Sequence, residues 1–114
     1  MLLKHRTQDN VDIVELGGRL VMADAAQARS ELLAVVRRGT GRLVVDLSDV
    51  GFVDSSGLSV LIAAFKAIEE RSGKMVLAGL SPEIQALLEL TRLNEIFLVF
   101  ADAERAVEYL VSAE

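Results

Sequence analysis

The fold is decided by the stretch FVDSSGL at residues 52–58. A dense run of β-forming residues, LVVDL at 43–47, precedes it. Apolar residues at helical spacing follow it, and they are Leu58, Leu61, Ile62, Phe65 and Ile68. These positions share one face of a helix. The polar stretch is therefore predicted to lie where a central strand has ended and a helix begins.

Free backbone N–H groups and the positive end of the helix dipole point outwards at such a junction. A single Asp or Ser there is ordinarily a helix cap, and Asp54 and Ser55 both qualify. Asp54, Ser55, Ser56 and Gly57 together supply more polar groups than one cap requires. The stretch is therefore open to two interpretations, a helix cap alone or a functional site.

Composition limits the class of protein. The 114 residues predict one domain, residues 1–114, with a single core of Leu, Val, Ile and Ala, because 52% of the residues are hydrophobic and only 4% are aromatic. A net charge of −5 argues against a nucleic-acid-binding surface, which needs clustered Lys and Arg. The absence of cysteine excludes disulfides and thiolate metal sites.

The hydropathy pattern gives no sign of a membrane segment. The longest apolar runs, such as residues 60–65, are too short to cross a bilayer. Residues 1–5 lack the apolar region of a signal peptide. We therefore expect a soluble, cytoplasmic protein with no direct membrane insertion.

The remaining pattern predicts an opening hairpin and then alternating helices and strands. Runs at 3–7 and 11–16 flank a turn signal. Gly17 and Gly18 break the second run, and residues 19–21 could resume the strand after a bend. Asp24 is predicted to start a helix that Gly39 ends. Further strands are predicted at 43–47, 75–78 and 96–100, and further helices at about 58–71, from Ser81-Pro82 and after Asp102.

Continuous apolar strands separated by helices favour parallel pairing under a cover of helices. The predicted fold class is therefore α/β. It is a mixed β-sheet, built from an N-terminal hairpin plus parallel strands and packed with about four α-helices.

Common nucleotide-binding motifs are absent from the sequence. Gly39 and Gly41 lack the third glycine of a dinucleotide fingerprint and precede a strand. Gly73-Lys74 lacks the earlier glycine of a Walker A loop, and Met75 takes the place of its Ser or Thr.

Other chemical groups have simple explanations. His5 is the only histidine and is expected on the surface of the first strand. Asp46, Asp49 and Asp54 cluster around the end of the central strand. They could hold a metal ion or accept a phosphoryl group, and solvation of a loop together with capping by Asp54 is the simpler account.

Two segments carry a resemblance to a known family. Asp46-Leu47-Ser48 and the stretch at 52–58 resemble the signature of STAS domains, most of all the bacterial anti-sigma factor antagonists. Weaker likeness at 18–20, at 73–80, at 93–97 and in the closing helix extends it over nearly the whole chain. The resemblance implies a STAS-like fold.

The resemblance also implies a function. In that family the second serine of the motif, here Ser56, is phosphorylated by a partner that is both an anti-sigma factor and a serine kinase using ATP. The unphosphorylated form binds that partner and frees a sigma factor, and a PP2C-type phosphatase restores the serine. The chain is then a regulatory protein, not an enzyme, and it needs no cofactor or metal.

The residues fit such a role. Ser56 falls in the first helical turn, where its hydroxyl can stay reachable, with Asp54 and Ser55 supporting the motif. Gly57 is expected to leave room for a kinase or a partner backbone. Many such antagonists have an acidic residue directly after a Gly-x-Leu element, whereas this chain has Val21 there and Asp24 three residues later.

A partner-binding surface is predicted beside the motif, formed by Val21, Asp24, Ser59, Ala63 and Lys66. Val60 and Ala67 are also expected to lie off the core stripe of the helix. Good helix propensity, or close packing of Val60 and Ala67 on a neighbouring helix, would explain the same small residues.

Two other functions remain open. A STAS subunit whose serine is not a switch could serve in a signalling scaffold or in a lipid-transport complex. A receiver-like phosphoacceptor or a metal-dependent enzyme could use Asp46, Asp49 or Asp54. The opening hairpin argues against a receiver, which would alternate strand and helix from the start.

Overall fold

The computed structural model describes residues 1–112 as one mixed sheet with helices on both faces. The strands are β1 (Leu2–Gln8), β2 (Val11–Leu20), β3 (Arg42–Val53), β4 (Lys74–Ala78) and β5 (Val99–Phe100). The helices are α1 (Met22–Arg38), α2 (Ser55–Glu70), α3 (Pro82–Leu90) and α4 (Ala103–Ser112), with a 3₁₀ turn at Leu93–Glu95.

The strands lie in the order β1-β2-β3-β4-β5. β1 and β2 are antiparallel, and the other neighbouring pairs are parallel. Asp9 and Asn10 join β1 to β2 with φ angles of 52° and 63°, as a tight hairpin turn requires. The predicted α/β class, with a hairpin plus parallel strands and four helices, is confirmed.

Alternation along the strands divides the core into two layers. One layer packs beneath α1, α2 and α3 and takes Leu43, Val45 and Leu47 from β3. The other packs beneath α4 and takes Val44 from β3 and Val76 from β4. The central strands are thus covered on both faces, which explains their unbroken apolar sequences.

Two strands are longer than the uninterrupted runs predicted at 11–16 and 43–47. β2 continues through Gly17 and Gly18 to Leu20, and its register with β3 shifts at these glycines. Gly18 has a φ of 99°, which a residue with a side chain rarely adopts. The glycines therefore make an irregularity in a continuous strand and do not end it. β3 runs alongside as far as Val53, directly before the motif.

The predicted start of α1 at Asp24 is wrong. The helix begins at Met22, and the capping position is Val21, whose side chain makes no capping hydrogen bond. The predicted last strand at 96–100 is also too long, because only Val99–Phe100 pairs with β4. Gly39 after α1, and Ser81 and Pro82 at the start of α3, lie where the sequence predicts them.

The buried face of α2 is wider than the predicted stripe. Leu58, Leu61 and Ile68 are buried, whereas Ile62 and Phe65 are half-buried. Val60, expected off the core, is only 3% exposed, because this side of α2 joins the apolar layer that α1 also enters. Within residues 1–112, no helix has the length and apolar character that crossing a membrane requires.

Candidate phosphoacceptor and partner-binding site

Asp54 links the N-termini of α1 and α2. Its Oδ1 atom accepts a hydrogen bond of 2.9 Å from the backbone N–H of Gly57, which caps α2. Its Oδ2 atom accepts a hydrogen bond of 3.0 Å from the backbone N–H of Met22 at the start of α1. One carboxylate therefore accepts hydrogen bonds from the first-turn N–H groups of two helices. A capping pattern read from adjacent residues predicts only the bond to α2.

These contacts favour the charged form of the side chain. The hydrogen bond from the Gly57 N–H lowers the pKa of Asp54 from its ordinary value of 3.8, and those from Met22 and Ser56 lower this pKa further. Partial desolvation acts in the opposite direction and is outweighed. Asp54 is therefore an anion at neutral pH, and both of its oxygen atoms accept hydrogen bonds from backbone N–H groups.

The two serines of the motif differ in their surroundings. Ser55 is exposed, and its backbone carbonyl accepts a hydrogen bond from the Ser59 hydroxyl. Ser56 is half-buried and faces a shallow groove between α1 and α2. Neither side-chain hydroxyl has a hydrogen-bond partner within residues 1–112. The predicted alternative that Ser55 caps the helix is wrong, since Asp54 takes that role.

Gly57 is required by packing on the sheet. A Cβ atom at this position would lie 2.2 Å from the Leu20 carbonyl oxygen and 2.9 Å from the Val53 Cγ1 atom. The expectation that Gly57 leaves room for a partner is wrong, because the residue is buried. Its close contact with β2 and β3 fixes the position at which α2 leaves the sheet.

The groove beside Ser56 is formed by the first turns of both helices. Its lining residues are Ala25, Ala26 and Arg29 from α1, and Ser56, Ser59 and Val60 from α2. The small side chains of both helices let the groove form, and Arg29 is the one charged residue among these six.

Of the predicted partner-binding residues, only Ser59 lines this groove. Ser59 and Lys66 are exposed on α2, and Ala63 between them is half-buried. Val21 is half-buried directly before α1. Asp24 lies in the first turn of α1, where its Oδ1 atom is 3.8 Å from the amino nitrogen of Met1. The five residues thus lie on α2 and on the start of α1, and whether a partner binds them stays a prediction.

Three further residues near the motif were not predicted to belong to the site. Met22 is 74% exposed at the start of α1, and Phe52 is 51% exposed near the end of β3. The Arg19 guanidinium carbon lies 5.6 Å from the centre of the Phe52 ring. An exposed Phe52 follows from alternation, because Val53 beside it faces inwards, whereas the exposure of Met22 depends on where α1 begins.

Within residues 1–112, the acidic residues Asp46 and Asp49 of β3 show no arrangement for binding a metal ion. The Asp46 Oδ1 atom accepts a hydrogen bond of 3.0 Å from the Ser48 backbone N–H. Asp49 is exposed. In the part of the chain that the structure describes, no three His, Cys, Asp or Glu side chains are grouped to hold a metal ion.

A second polar cluster lies away from the motif. His5 is exposed, as expected, yet its Nε2 atom lies 2.8 Å from the Oδ1 atom of Asp12. Asp12 is 4% exposed, and its Oδ2 atom accepts a hydrogen bond of 2.7 Å from the Thr40 backbone N–H. Burial raises the pKa of Asp12, but the hydrogen bonds from Thr40 and His5 outweigh it and hold this pKa below 3.8. The cluster ties β1 and β2 to the loop after α1.

Comparison with known proteins agrees with this arrangement. The STAS domain model matches residues 3–106. The anti-sigma-B factor antagonist of Listeria monocytogenes serovar 1/2a is 36% identical over 95 residues, which cover 82% of each chain. That of Bacillus subtilis strain 168 is 30% identical over 102 residues, covering 89% of this chain and 93% of the relative.

A solved structure extends the likeness to three dimensions. The crystal structure of an anti-sigma factor antagonist from Mycobacterium paratuberculosis matches with a TM-score of 0.87 and 26% identity, covering 96% of this chain and 92% of that one. Together with the motif that ends β3 and begins α2, these matches show that the chain belongs to the STAS domain family.

Proposed function

We propose that the chain is an anti-sigma factor antagonist whose activity is controlled at Ser56. In its unphosphorylated form it binds an anti-sigma factor that is also a serine kinase, and it thereby frees a sigma factor in the cytoplasm. The observation that carries the proposal is the unpaired Ser56 hydroxyl, which faces the groove at the start of α2. Two curated relatives that are anti-sigma-B factor antagonists support the class of partner.

The chemistry of the switch is phosphoryl transfer from ATP. The bond from Ser56 Oγ to the γ-phosphorus forms as the bond to the β-phosphate oxygen breaks. ADP leaves, and the hydroxyl proton passes to a base of the kinase. A PP2C-type phosphatase would reverse the state by hydrolysis. Asp54 is held by Gly57 and Met22, so its proposed role is to fix the position of the acceptor and not to take part in the transfer.

The fold should tolerate a phosphate at this position. A phosphoserine carries about −1.5 to −2 charges at neutral pH. At the start of α2 it meets the positive end of the helix dipole, a contact worth about 0.3–1 kcal/mol on an exposed site. Phosphorylation should therefore weaken partner binding more than it weakens the fold. The phosphate dianion would lose its water on contact with a partner surface that is shaped for a hydroxyl, and this desolvation is unfavourable.

The proposed interface is the exposed side of α2 together with the start of α1. Ser59, Ala63 and Lys66 continue from Ser56 along one side of α2, and Asp24 lies in the first turn of α1. Met22 adds an exposed apolar side chain at the same edge, suited to a pocket on the partner. A kinase that recognises this surface would bring its ATP site to Ser56.

A two-step experiment tests the proposal. The chain is used to capture its partner from the native cytoplasm, and the captured protein is then incubated with ATP, the chain, and its Ser55→Ala and Ser56→Ala variants. Fragment mass spectra should place one phosphate on Ser56 in the parent chain and in Ser55→Ala, and none on Ser56→Ala. Phosphate found only on Ser55 would overturn the assignment of the site.

A different result would favour the non-switching alternative. A stable complex in which no serine accepts phosphate, with a scaffold or transport protein as the captured partner, would identify the chain as a structural STAS subunit. If Ser56 is phosphorylated and the chain stays bound to its partner, the modification does not control binding. That result would overturn the proposed switch.

A further inference from the structure

Arg29 is a lone cation beside the proposed phosphoacceptor. It lines the groove with Ser56, and the other lining residues are neutral. Its side chain is exposed, and within residues 1–112 it makes neither an ion pair nor a hydrogen bond. A cation without a partner at the edge of this groove is available to an anion that arrives there.

The neighbours of Arg29 on its own helix do not compete for it. The positions three and four residues away on α1 are Ala25, Ala26, Leu32 and Leu33, so no intrahelical carboxylate can pair with it. Across the groove, α2 presents Ser56, Ser59 and Val60, which are also uncharged. The nearby carboxylates are already engaged, Asp54 by two backbone N–H groups and Asp24 by the Met1 amino group.

We propose that Arg29 pairs with the phosphoryl group on Ser56 and holds it in the groove between α1 and α2. The inference rests on the proposed function, which makes Ser56 the phosphoacceptor. A guanidinium suits this role, because it can donate two parallel N–H bonds to phosphate oxygens. The phosphorylated chain would then fill its own groove with an ion pair, so that a partner loses the groove and also meets the added charge.

Pairing with Arg29 changes the protonation of the phosphate. A nearby cation favours the dianion and lowers the second pKa of phosphoserine, which is about 6 without such a contact. The charges of Asp54 and Asp24 act against this effect, and they are present equally in variants of Arg29. A comparison between such variants therefore isolates the arginine.

The experiment uses the full chain with phosphoserine placed at position 56 during translation, so no kinase is needed. The second pKa of the phosphate is measured by ³¹P NMR in the parent chain and in its Arg29→Gln, Arg29→Lys and Arg37→Gln variants. Arg29→Gln should raise this pKa by about 0.2–0.7 unit, the range for an exposed ion pair. Arg29→Lys keeps the charge and should restore most of the lowering.

Arg37→Gln is the matched control. It removes the same charge from an exposed position about two turns farther along α1. It should leave the phosphate pKa unchanged. Equal pKa values for the parent and Arg29→Gln, or equal shifts in both Gln variants, would overturn the pairing. A phosphorylated chain that still binds its captured partner would instead overturn the proposed switch, whatever the phosphate pKa.

Discussion

The backbone N–H of Met22 donates a hydrogen bond to the side chain of Asp54, which lies 32 residues farther along the chain. The same carboxylate caps α2 through Gly57. The motif residue Asp54 thus sets the relative position of the two helices that form the groove. A change at Asp54 should act on the shape of the site as well as on the stability of the fold.

Substitution of Asp54 should separate its two capping contacts. Asn retains one carbonyl oxygen and should keep the Gly57 bond while losing the bond from Met22, whereas Ala loses both. The melting temperature should fall in the order parent, Asp54→Asn, Asp54→Ala. Amide hydrogen exchange at Met22 should quicken in both variants, and exchange at Gly57 only in Asp54→Ala. A Met22 amide in Asp54→Asn that exchanges as slowly as in the parent would contradict this division.

Acid should weaken the fold through Asp54 and Asp12. Both carboxyls have folded-state pKa values below 3.8, so the unfolded chain binds more protons as the pH falls through this value. Their stabilisation is therefore fully present above about pH 5 and is lost as the pH falls through 3.8 and then through the folded-state pKa values. Denaturant unfolding between pH 5 and about pH 2 measures this loss. In a double variant with Asp12→Asn and Asp54→Asn, the free energy of unfolding should depend less steeply on pH. An unchanged slope would exclude these two carboxyls as the source of the acid sensitivity.

Gly57→Ala should destabilise the protein even though Ala is the better helix former by about 1 kcal/mol. The new Cβ atom would lie 2.2 Å from the Leu20 carbonyl oxygen, and the backbone must move to relieve the contact. Overpacking of this kind costs about 1–3 kcal/mol in the free energy of unfolding. Gly51→Ala is the control, because a Cβ atom there would have no atom of residues 1–112 within 4 Å apart from those of Gly51 and its two chain neighbours. It should change the free energy by no more than about 0.5 kcal/mol, and equal effects of the two substitutions would contradict the packing argument.

The order of elements and several of their ends could be predicted because their causes are local. Ser81 and Pro82 start α3, and Gly39 follows α1, through residues adjacent in sequence. The start of α1 could not be predicted, because its donor at Met22 is satisfied by Asp54 from another element. Asp24 has the residue type of a cap, yet it lies inside the first turn.

The motif could be located in the sequence, but the groove beside it could not. Helical spacing shows which residues of α2 share a face, and it does not show that this side joins the layer beneath α1, which buries Val60. Arg29 lies beside Ser56 only because α1 and α2 pack side by side, and its sequence separation from the motif gives no sign of this. The motif gave the acceptor serine as a hypothesis, and the surroundings of that serine depend on tertiary packing.

Ala63→Arg should weaken binding to the captured partner. The residue is half-buried on the α2 surface that continues from Ser56, so a long charged side chain there would obstruct a partner. If the site is central to the interface, binding should weaken by at least about 2 kcal/mol in calorimetry. Ala86→Arg places the same side chain on exposed α3 and should leave the affinity unchanged. Equal affinity of Ala63→Arg and the parent, with equal melting temperatures, would remove this side of α2 from the interface.

Substitution of Ser56 should reproduce the two states of the proposed switch. Ser56→Ala keeps a small neutral side chain and should bind the partner while accepting no phosphate. Ser56→Asp adds about one negative charge, less than the roughly −1.5 to −2 of phosphoserine, so it should weaken binding only in part. Ser55→Asp is the control, because it adds the same charge at an adjacent residue that does not line the groove. In calorimetry with the captured partner, Ser56→Ala should bind most tightly, Ser55→Asp less tightly and Ser56→Asp most weakly. A Ser55→Asp variant that binds more weakly than Ser56→Asp would move the proposed switch to Ser55.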